Sequence, residues 1–322
     1  MKSWQYDVTL VVPLLNEEES LKELIPWIAR VCSENRLRYE IILVNDGSTD
    51  NSWEVIRNHA ERDAGVKALS FTRNYGKSAA LNEGFKIANG EVIITMDADL
   101  QDSPDEIPEL RRMIVEDGYH LVSGWKKKRH DPISKTLPSK FYNFFTRVVS
   151  GIKLHDFNCG LKAYHHKVIK NVEIYGEMHR YIPYIAKANG FKKIGEKVVE
   201  HRARKYGYSK FGIGRILGLF DLLAISFVSK YSKKPMQFFG AWGTLSFIAG
   251  LLGTGYLITE KVYNLYTGLE VREIVDQPAF FMALTGLIIG VQLFLAGYLG
   301  EMMVLNNASK SQYVIDEMVG LE

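Results

Sequence analysis

Short apolar runs separated by longer, mixed segments dominate the N-terminal part of the chain. The runs predict four buried strands, at Val8–Val12, Glu40–Val44, Val66–Phe71 and Val92–Met96. The segments between them predict helices, one opening at the acidic stretch Asn16–Ser20 and another closed by Gly90. Strands that alternate with helices indicate an α/β domain with a mostly parallel sheet.

Two longer apolar runs near the C-terminus predict transmembrane helices. Met236–Ile258 and Pro278–Gly300 contain no charged residue, and each has about 23 residues, whereas roughly 20 cross a bilayer core. Both runs contain several glycines, which suit close packing between membrane helices. The alternative, two buried core helices, fits less well because both runs are long and uniformly apolar.

The segment that precedes these runs has the apolar spacing of a helix. Gly212–Lys230 predicts either a helix at the membrane interface or a helix that packs on the domain. Lysines at positions 230, 233 and 234 precede the first long run, whereas the connecting segment Thr259–Gln277 is mainly acidic. The positive-inside rule therefore predicts that the N-terminal domain is cytoplasmic.

The chain of 322 residues is thus expected to have four parts. They are an α/β domain at 1–211, an interfacial helix and linker at 212–234, two transmembrane helices at 235–305 and a cytoplasmic tail at 306–322. The net charge of +3 gives no reason to expect nucleic-acid binding. Cys32 and Cys159 are too few for a disulfide scaffold, so a reducing compartment is the simple interpretation.

Polar loops follow three of the predicted strands and contain the candidate chemistry. Their sequences are "PLLNEEE", "NDGSTD" and "DADLQD". Ligands bind at the carboxyl ends of the strands in such sheets, so we expect the loops to converge. In an extended chain Asp97 and Asp99 point the same way, and their carboxylates repel unless a cation lies between them. A divalent ion carrying a diphosphate would neutralise them, with Gln101 adding a neutral oxygen, and a solvated acidic turn is the alternative.

Several motifs in order resemble family 2 glycosyltransferases, whose nucleotide-binding fold is called GT-A. The matching segments are "VVPLLNEEESL" (11–21), "ILVNDGSTDNS" (42–52), "TRNYGKSAALNEGF" (72–85) and "MDADLQDSPDEIPEL" (96–110). Within this family the chain is most similar to the polyprenyl-phosphate sugar synthases, the dolichol-phosphate mannose synthase-like enzymes, through "DFNCGLKAY" (156–164) and "RKYGYSKF" (204–211). The resemblance covers essentially the whole chain and implies a GT-A domain followed by membrane helices.

The resemblance also implies a donor site with magnesium or manganese as cofactor. The nucleotide sugar would be bound by Pro13, Asn16, Glu17, Asp46 and Asp97, and the metal by Asp97, Asp99 and Gln101. Asp156 matches the acid often proposed as the base in inverting members, so Asp156 and Asp99 are the expected catalytic residues. Whether Asp156 acts as a base or only positions substrate stays open, because a phosphate acceptor is already largely ionised near neutral pH.

A polyprenyl phosphate acceptor needs basic groups that hold its phosphate. The candidates are Lys126, Arg129, Lys135, Ser139, Arg204 and Lys210. Lysines stand at some positions where family members use arginine, and a lysine offers a point charge rather than a bidentate fork. The alternative for this basic run is a solvated face or a patch that touches anionic lipid headgroups.

The expected function is inverting, metal-dependent transfer of a sugar from a UDP- or GDP-linked donor to undecaprenyl or dolichyl phosphate at the cytoplasmic membrane face. The alternatives are transfer to another lipid such as a diacylglycerol, polysaccharide synthesis, and a non-catalytic sensor of nucleotide sugars. Polysaccharide synthases of this kind carry a Gln-x-x-Arg-Trp pattern, which this sequence lacks. The sequence leaves open the sugar, the nucleotide base and homo-oligomerisation.

Overall fold

The structure, a computed structural model, describes residues 4–127, 143–206, 227, 231, 234–270 and 272–306. The chain divides into two compact units, Met1–Ala224 and Ile225–Glu322. The predicted interfacial helix at 212–234 and the predicted tail at 306–322 lie almost entirely outside the described residues. Each unit is therefore considered by itself.

Seven strands form one sheet in the described part of the N-terminal unit. In chain order they are β1 (Tyr6–Leu14), β2 (Tyr39–Asn45), β3 (Val66–Ser70), β4 (Gly90–Thr95), β5 (Leu121–Trp125), β6 (Lys162–His165) and β7 (Ile194–Val198). Their order across the sheet is β3-β2-β1-β4-β6-β5-β7. Strand β6 runs antiparallel to β4 and β5, and the other pairs are parallel. The predicted mostly parallel α/β sheet is confirmed.

Apolar side chains fill both faces of the central strands. Val8, Leu10, Val11 and Val12 of β1 have no exposed surface, and the same is true of residues 41–44 in β2. Helices cover both faces of a parallel sheet, so its strands need continuous apolar runs rather than alternating ones. The apolar runs that predict the strands are the core of this unit.

Helices connect most of the strands. They are α1 (Glu18–Glu34), α2 (Ser52–Ala60), α3 (Lys77–Ile87), α4 (Ile107–Val115), α5 (His166–Lys170) and α6 (Ile182–Ala188), and residues 143–150 are also helical. The expectation that Gly90 closes the third helix is wrong, because α3 ends at Ile87 and Gly90 opens β4. A Cβ at Gly90 would lie 2.6 Å from Oγ1 of Thr9, so this glycine lets β4 approach β1 closely.

Two long helices form the described part of the C-terminal unit, α7 (Pro235–Thr267) and α8 (Pro278–Asn306). By length and composition both could cross a membrane, and only 17% and 11% of the residues in their most apolar windows are buried. Helix α7 extends past the predicted end of the span at Ile258 and stops at Gly268, whose left-handed φ of 72° ends helices readily.

Glycines let α7 and α8 touch backbone to backbone. A Cβ at Gly250 would lie 2.6 Å from the carbonyl oxygen of Ala283, and a Cβ at Gly290 would lie 2.6 Å from the backbone nitrogen of Phe247. Helices in a membrane gain most of their association energy from such close packing. Gly250 and Gly290 in the two apolar runs therefore serve the contact between these two helices.

Candidate active site

A cavity of about 270 Å³ lies where strands β1, β2 and β4 end. Its walls include Pro13 and Glu17 from the end of β1, Asp46 after β2, and Asp97 and Asp99 after β4. Parallel strands present their carboxyl ends at one edge of the sheet, which is why the three polar loops meet here.

Asp97 forms an ion pair with Lys77, the first residue of α3. Burial alone would raise the pKa of Asp97, but the charges of Lys77 and Lys126 outweigh it and lower the pKa to about 2. Asp97 is therefore ionised at any physiological pH, and its charge is balanced by basic side chains of the same chain.

Asp99 contacts Arg204, whose Nη2 lies 2.5 Å from Oδ2 of Asp99. The same guanidinium lies 3.6 Å from a carboxylate oxygen of Glu17. Burial and the neighbouring charge of Asp97 raise the pKa of Asp99 in spite of Arg204. Negative charge at Asp99 is therefore only partly balanced, and an additional cation would be favourable.

The backbone of Gly160 lies directly against the carboxylate of Asp97. A Cβ on Gly160 would lie 2.4 Å from Oδ2 and 2.6 Å from Cγ of Asp97, so no larger residue fits without displacing the carboxylate. The hydroxyl of Thr95, at the end of β4, donates to the carbonyl of Gly160 at 2.8 Å. The loop before β6 thus sets the position of Asp97.

Asp46 holds the start of α3. Its two carboxylate oxygens accept the backbone N–H groups of Tyr75 at 2.7 Å and Gly76 at 3.0 Å. Asp46 is 5% exposed and lines the cavity. The carboxylate expected to bind the nucleotide is therefore already engaged with the loop that precedes Lys77.

Two residues other than glycine have left-handed backbones in the polar loops. Asn16 has φ 52°, and its side-chain oxygen accepts the backbone N–H of Thr49 at 2.7 Å. Leu100 has φ 61° and is 5% exposed. This conformation is costly for a leucine, so the buried Leu100 side chain helps to fix the turn that follows Asp99.

The donor atoms at the strand ends fit a divalent ion bound together with a diphosphate. Among the described residues no cluster of three or more His, Cys, Asp or Glu side chains could hold a metal ion. Mg²⁺ is usually held by one or two carboxylates, with waters and substrate phosphates completing its shell. Two neighbouring carboxylates, of which Asp99 is only partly balanced by Arg204, match that arrangement.

Gln101, the third predicted metal ligand, is placed differently from the two carboxylates. Its backbone N–H donates to Oδ1 of Asp99 at 3.2 Å, and its side-chain amide donates to the carbonyl of Arg202 at 3.4 Å. Gln101 is not part of the cavity wall. Its observed contribution is to orient Asp99.

Comparison with known proteins decides the family. The model described as "Glycosyl transferase family 2" matches residues 9–173. The chain belongs to glycosyl transferase family 2. This glycosyltransferase is 35% identical to dodecaprenyl-phosphate galacturonate synthase of Rhizobium johnstonii, over 92% of its own chain and 87% of that protein. It is also 35% identical to undecaprenyl-phosphate 4-deoxy-4-formamido-L-arabinose transferase of Pseudomonas aeruginosa, over 81% of its chain and 76% of that protein.

Solved structures confirm the GT-A fold of the glycosyltransferase. Glucosyl-3-phosphoglycerate synthase of Mycobacterium tuberculosis in complex with UDP has a TM-score of 0.54 and 20% identity, covering 69% of this chain and 80% of that one. Its complex with Mn²⁺ and UDP-glucose has a TM-score of 0.51 and 18% identity, covering 70% and 79%. The expectations of family, fold and enzyme class are thus confirmed.

Asn16, Lys126 and Asp156 lie outside the cavity wall of the glycosyltransferase, as Gln101 does. Asp156 is 2% exposed, and its Oδ1 accepts the backbone N–H of Asn158 at 3.0 Å. Lys126 lies 2.8 Å from the fully buried carboxylate of Asp102. Burial alone would lower the pKa of Lys126, but the charge of Asp102 raises it, so Lys126 is part of an internal ion pair.

Of the other residues predicted to hold the acceptor phosphate, only Arg204 lies among the described residues. Arg204 lies in the cavity wall, between Asp99 and Glu17. Arg129, Lys135, Ser139 and Lys210 lie outside the described residues. Their roles stay predictions.

Eight residues of the cavity wall were not predicted from the sequence, and three of them have ionisable side chains, namely Lys77, Glu177 and His179. Lys77 lies within the "TRNYGKSAALNEGF" motif, so the motif held a signal for it. Burial lowers the pKa of His179 well below its usual range, and the charge of Lys77 acts in the same direction. His179 is therefore a neutral imidazole beside the acidic pair.

Proposed function

We propose that this glycosyltransferase moves a sugar from a nucleoside diphosphate sugar to a polyprenyl phosphate, with inversion at the anomeric carbon. The observation that carries the proposal is that two carboxylates and two basic side chains meet in one cavity at the strand ends. The acceptor comes from the relatives, which are named for dodecaprenyl phosphate and undecaprenyl phosphate.

The donor half of the proposal rests on Asp97 and Asp99. They would hold Mg²⁺ or Mn²⁺, which when bound neutralises charge on a departing nucleoside diphosphate. Lys77 and Arg204 contact the same two carboxylates in this structure. We expect each basic side chain to exchange its carboxylate for a phosphate oxygen when the donor binds, because such charge-assisted hydrogen bonds suit phosphate.

The acceptor half follows from the chemistry of phosphate. A phosphate monoester has a second pKa near 6, so it is a ready nucleophile at neutral pH and needs positioning rather than deprotonation. The burial of Asp156 away from the cavity wall supports a positioning role for that residue. Direct displacement of the nucleoside diphosphate by this phosphate would invert the anomeric centre.

A membrane location completes the proposal. Helices α7 and α8 are long and apolar enough to cross a bilayer, which is where a polyprenol chain resides. The lysines before α7 and the acidic connection between the helices support a cytoplasmic position of the catalytic unit. The nucleotide donor is then supplied from the cytoplasm.

Turnover of the full-length chain in lipid nanodiscs tests the proposal. Radiolabelled UDP- and GDP-linked sugars are offered with undecaprenyl phosphate, dolichyl phosphate or diacylglycerol, and label in the extracted lipid is counted. We expect label on a polyprenyl phosphate only, and loss of label when a chelator removes divalent ions. The Asp99→Ala variant should keep its melting temperature without added metal and lose transfer.

Each other result would replace the proposal with a different function. Label on diacylglycerol would indicate a lipid hydroxyl acceptor, and label in an insoluble polymer would indicate a polysaccharide synthase. Binding of a nucleotide sugar without transfer to any acceptor would indicate a sensor. Undiminished transfer to polyprenyl phosphate in the presence of chelator would remove the metal from the proposal.

A further inference from the structure

We propose that Glu177 and His179 recognise the sugar of the donor, with Ser78 holding His179 so that its Nε2 donates a hydrogen bond to a sugar hydroxyl. The inference rests on the proposed function, because it requires a nucleotide-sugar donor. It assigns selection of the sugar to two cavity residues that are not expected metal ligands and lie outside the segment "DADLQD" (97–102).

The position of His179 across the sheet supports this assignment. Asp46 follows β2, Pro13 lies in β1, and Asp97 follows β4, which gives a row of wall residues in the sheet order β2-β1-β4. His179 lies at the other end of this row, because it also lines a small inner pocket together with Gly160 and with Lys162 of β6. A donor whose diphosphate lies at Asp97 and Asp99 and whose nucleoside lies over β1 and β2 therefore places its sugar beside His179.

Ser78 contacts both the backbone and the ring of His179. Ser78 is fully buried, and its Oγ accepts the backbone N–H of His179 at 3.0 Å. The same Oγ lies 3.0 Å from Nδ1 of His179. The distance fits a serine O–H donated to Nδ1 as well as an Nδ1–H donated to the serine oxygen, and we infer the first arrangement for the neutral ring. Nδ1 is then the acceptor, so Nε2 carries the proton and is the donor available to a ligand.

Glu177 supplies an acceptor next to this donor. Glu177 lines the cavity, its side chain is 52% exposed, and a carboxylate oxygen lies 3.1 Å from Nη2 of Arg180. Arg180 is the more buried partner, at 14% exposure, so it anchors the carboxylate. A carboxylate only accepts hydrogen bonds, whereas the ring of His179 donates one. This pair of groups suits neighbouring hydroxyls of an uncharged sugar.

The same wall disfavours a sugar acid. A uronate carboxylate placed beside Glu177 would meet a like charge and would compete with it for Arg180, and such repulsion disfavours a competing ligand. Lys77 would offset little of this repulsion because it pairs with Asp97 in this structure and with a phosphate oxygen in the proposed donor complex. We therefore infer a donor sugar that is recognised through its hydroxyl groups and carries no carboxylate.

Separate binding measurements on the nucleotide and on the nucleotide sugar test the inference. Titration calorimetry on the full-length chain with Mn²⁺ would use UDP, GDP, UDP-glucose, GDP-mannose and UDP-galacturonate. The variants are His179→Ala, Ser78→Ala and Glu177→Gln, and His59→Ala on α2 is the matched histidine control. Melting temperatures establish that each variant is folded.

The expected result is a loss confined to the sugar. His179→Ala and Ser78→Ala should bind UDP or GDP as the unaltered chain does, and should bind the preferred uncharged nucleotide sugar roughly three- to tenfold more weakly, the loss expected for one hydrogen bond. His179→Asn, which keeps an N–H donor, should recover part of the affinity. In Glu177→Gln the difference in affinity between the preferred uncharged nucleotide sugar and UDP-galacturonate should become smaller. In His59→Ala the affinities for all five probes should stay unchanged.

Two results would overturn the inference while leaving the proposed function intact. One is an equal loss of affinity for UDP and UDP-glucose in His179→Ala, and the other is unchanged sugar affinity in a folded variant. Failure of the unaltered chain to bind any of the five probes would remove the inference and the proposed function together. Selective loss of sugar affinity in a chain that labels no polyprenyl phosphate would support the inference and contradict the proposed function.

Discussion

Asp97 depends on a neighbour that has no side chain. Because a Cβ on Gly160 would lie 2.4 Å from Oδ2 of Asp97, Gly160→Ala must push that carboxylate or its own loop aside. Small displacements of catalytic groups are costly, so we expect transfer to fall roughly 100-fold. The measurement is the rate of label transfer to polyprenyl phosphate, with Gly255→Ala as control because a Cβ at Gly255 meets nothing within 4 Å. Full activity in Gly160→Ala would contradict this role.

Asp99 is expected to be required for activity but not for stability. Burial and the charge of Asp97 raise the pKa of Asp99, so the folded protein already disfavours its ionised form. Asp99→Asn removes that repulsion, and the melting temperature without divalent ions should stay equal to that of the unaltered chain or rise. Transfer should fall on the order of 100- to 1000-fold, as expected when a group that stabilises transition-state charge is removed.

The control for Asp99→Asn is Asp117→Asn, which alters an acid that is paired with Arg112 of α4 and is not part of the cavity wall. It should leave transfer unchanged. The thermal stabilisation produced by Mn²⁺ together with UDP should disappear in Asp99→Asn and persist in Asp117→Asn. A large fall in the melting temperature of Asp99→Asn before any metal is added would show that the carboxylate is structural.

Single residues differ in how far the sequence reveals them. Asp97 and Asp99 could be predicted because their spacing along a strand end carries the chemistry within three residues. His179 could not, because its link to Ser78 joins segments that are distant along the chain. The ion pair of Lys126 with buried Asp102 was hidden for the same reason, since no periodicity brings those two residues together.

At the scale of elements, Asp46 links the end of β2 to the start of α3. Both of its oxygens accept backbone N–H groups, from Tyr75 and Gly76. In Asp46→Asn one oxygen is replaced by an amide nitrogen that cannot accept, so one of these hydrogen bonds is lost. Hydrogen bonds to charged groups contribute about 1.5–3 kcal/mol, and we expect amide exchange at Tyr75 or Gly76 to quicken by about tenfold or more.

The matched control for Asp46 is Asp63→Asn. Asp63 also accepts a nearby backbone N–H, from Gly65 at 2.8 Å, but lies at another loop. Hydrogen exchange followed by mass spectrometry should show faster exchange at residues 75–77 in the first variant only, together with weaker UDP binding. Weaker UDP binding with unchanged exchange would indicate that Asp46 contacts the nucleotide directly.

The elements themselves were largely predictable where burial determines them. The four predicted strands correspond to β1–β4, because a strand buried on both faces requires a continuous apolar run. The antiparallel β6 was not predictable, since its direction is set by pairing with β4 and β5 rather than by its own four residues. The end of the third helix was predicted wrongly for a related reason. From the sequence alone, a glycine that lets two strands approach closely, such as Gly90, cannot be distinguished from a glycine that ends a helix.

At the scale of the whole molecule, the C-terminal helices are more extensive than the apolar pattern. Helix α7 has 33 residues and is therefore about 50 Å long, whereas a bilayer core is about 30 Å thick. The uncharged run Met236–Ile258 matches the bilayer core, and Glu260 with Lys261 begins the part that would extend into water. Hydropathy predicted the span but not the end of the helix, which Gly268 determines.

The proposed orientation in the membrane makes a prediction that cysteine labelling can check. Cys32 and Cys159 are both buried, and burial raises the pKa of each thiol to about 12, so neither should react with a maleimide in the folded protein. Leu269, 57% exposed between α7 and α8, and the exposed Glu61 after α2 are therefore suitable sites for single new cysteines. Leu269→Cys should be labelled by a membrane-impermeant maleimide added to intact spheroplasts, whereas Glu61→Cys should be labelled only in inverted vesicles. The reverse pattern would place the catalytic unit outside the cytoplasm, where no supply of nucleotide sugar is expected, and equal labelling from both sides would mean that α7 and α8 do not hold a single orientation.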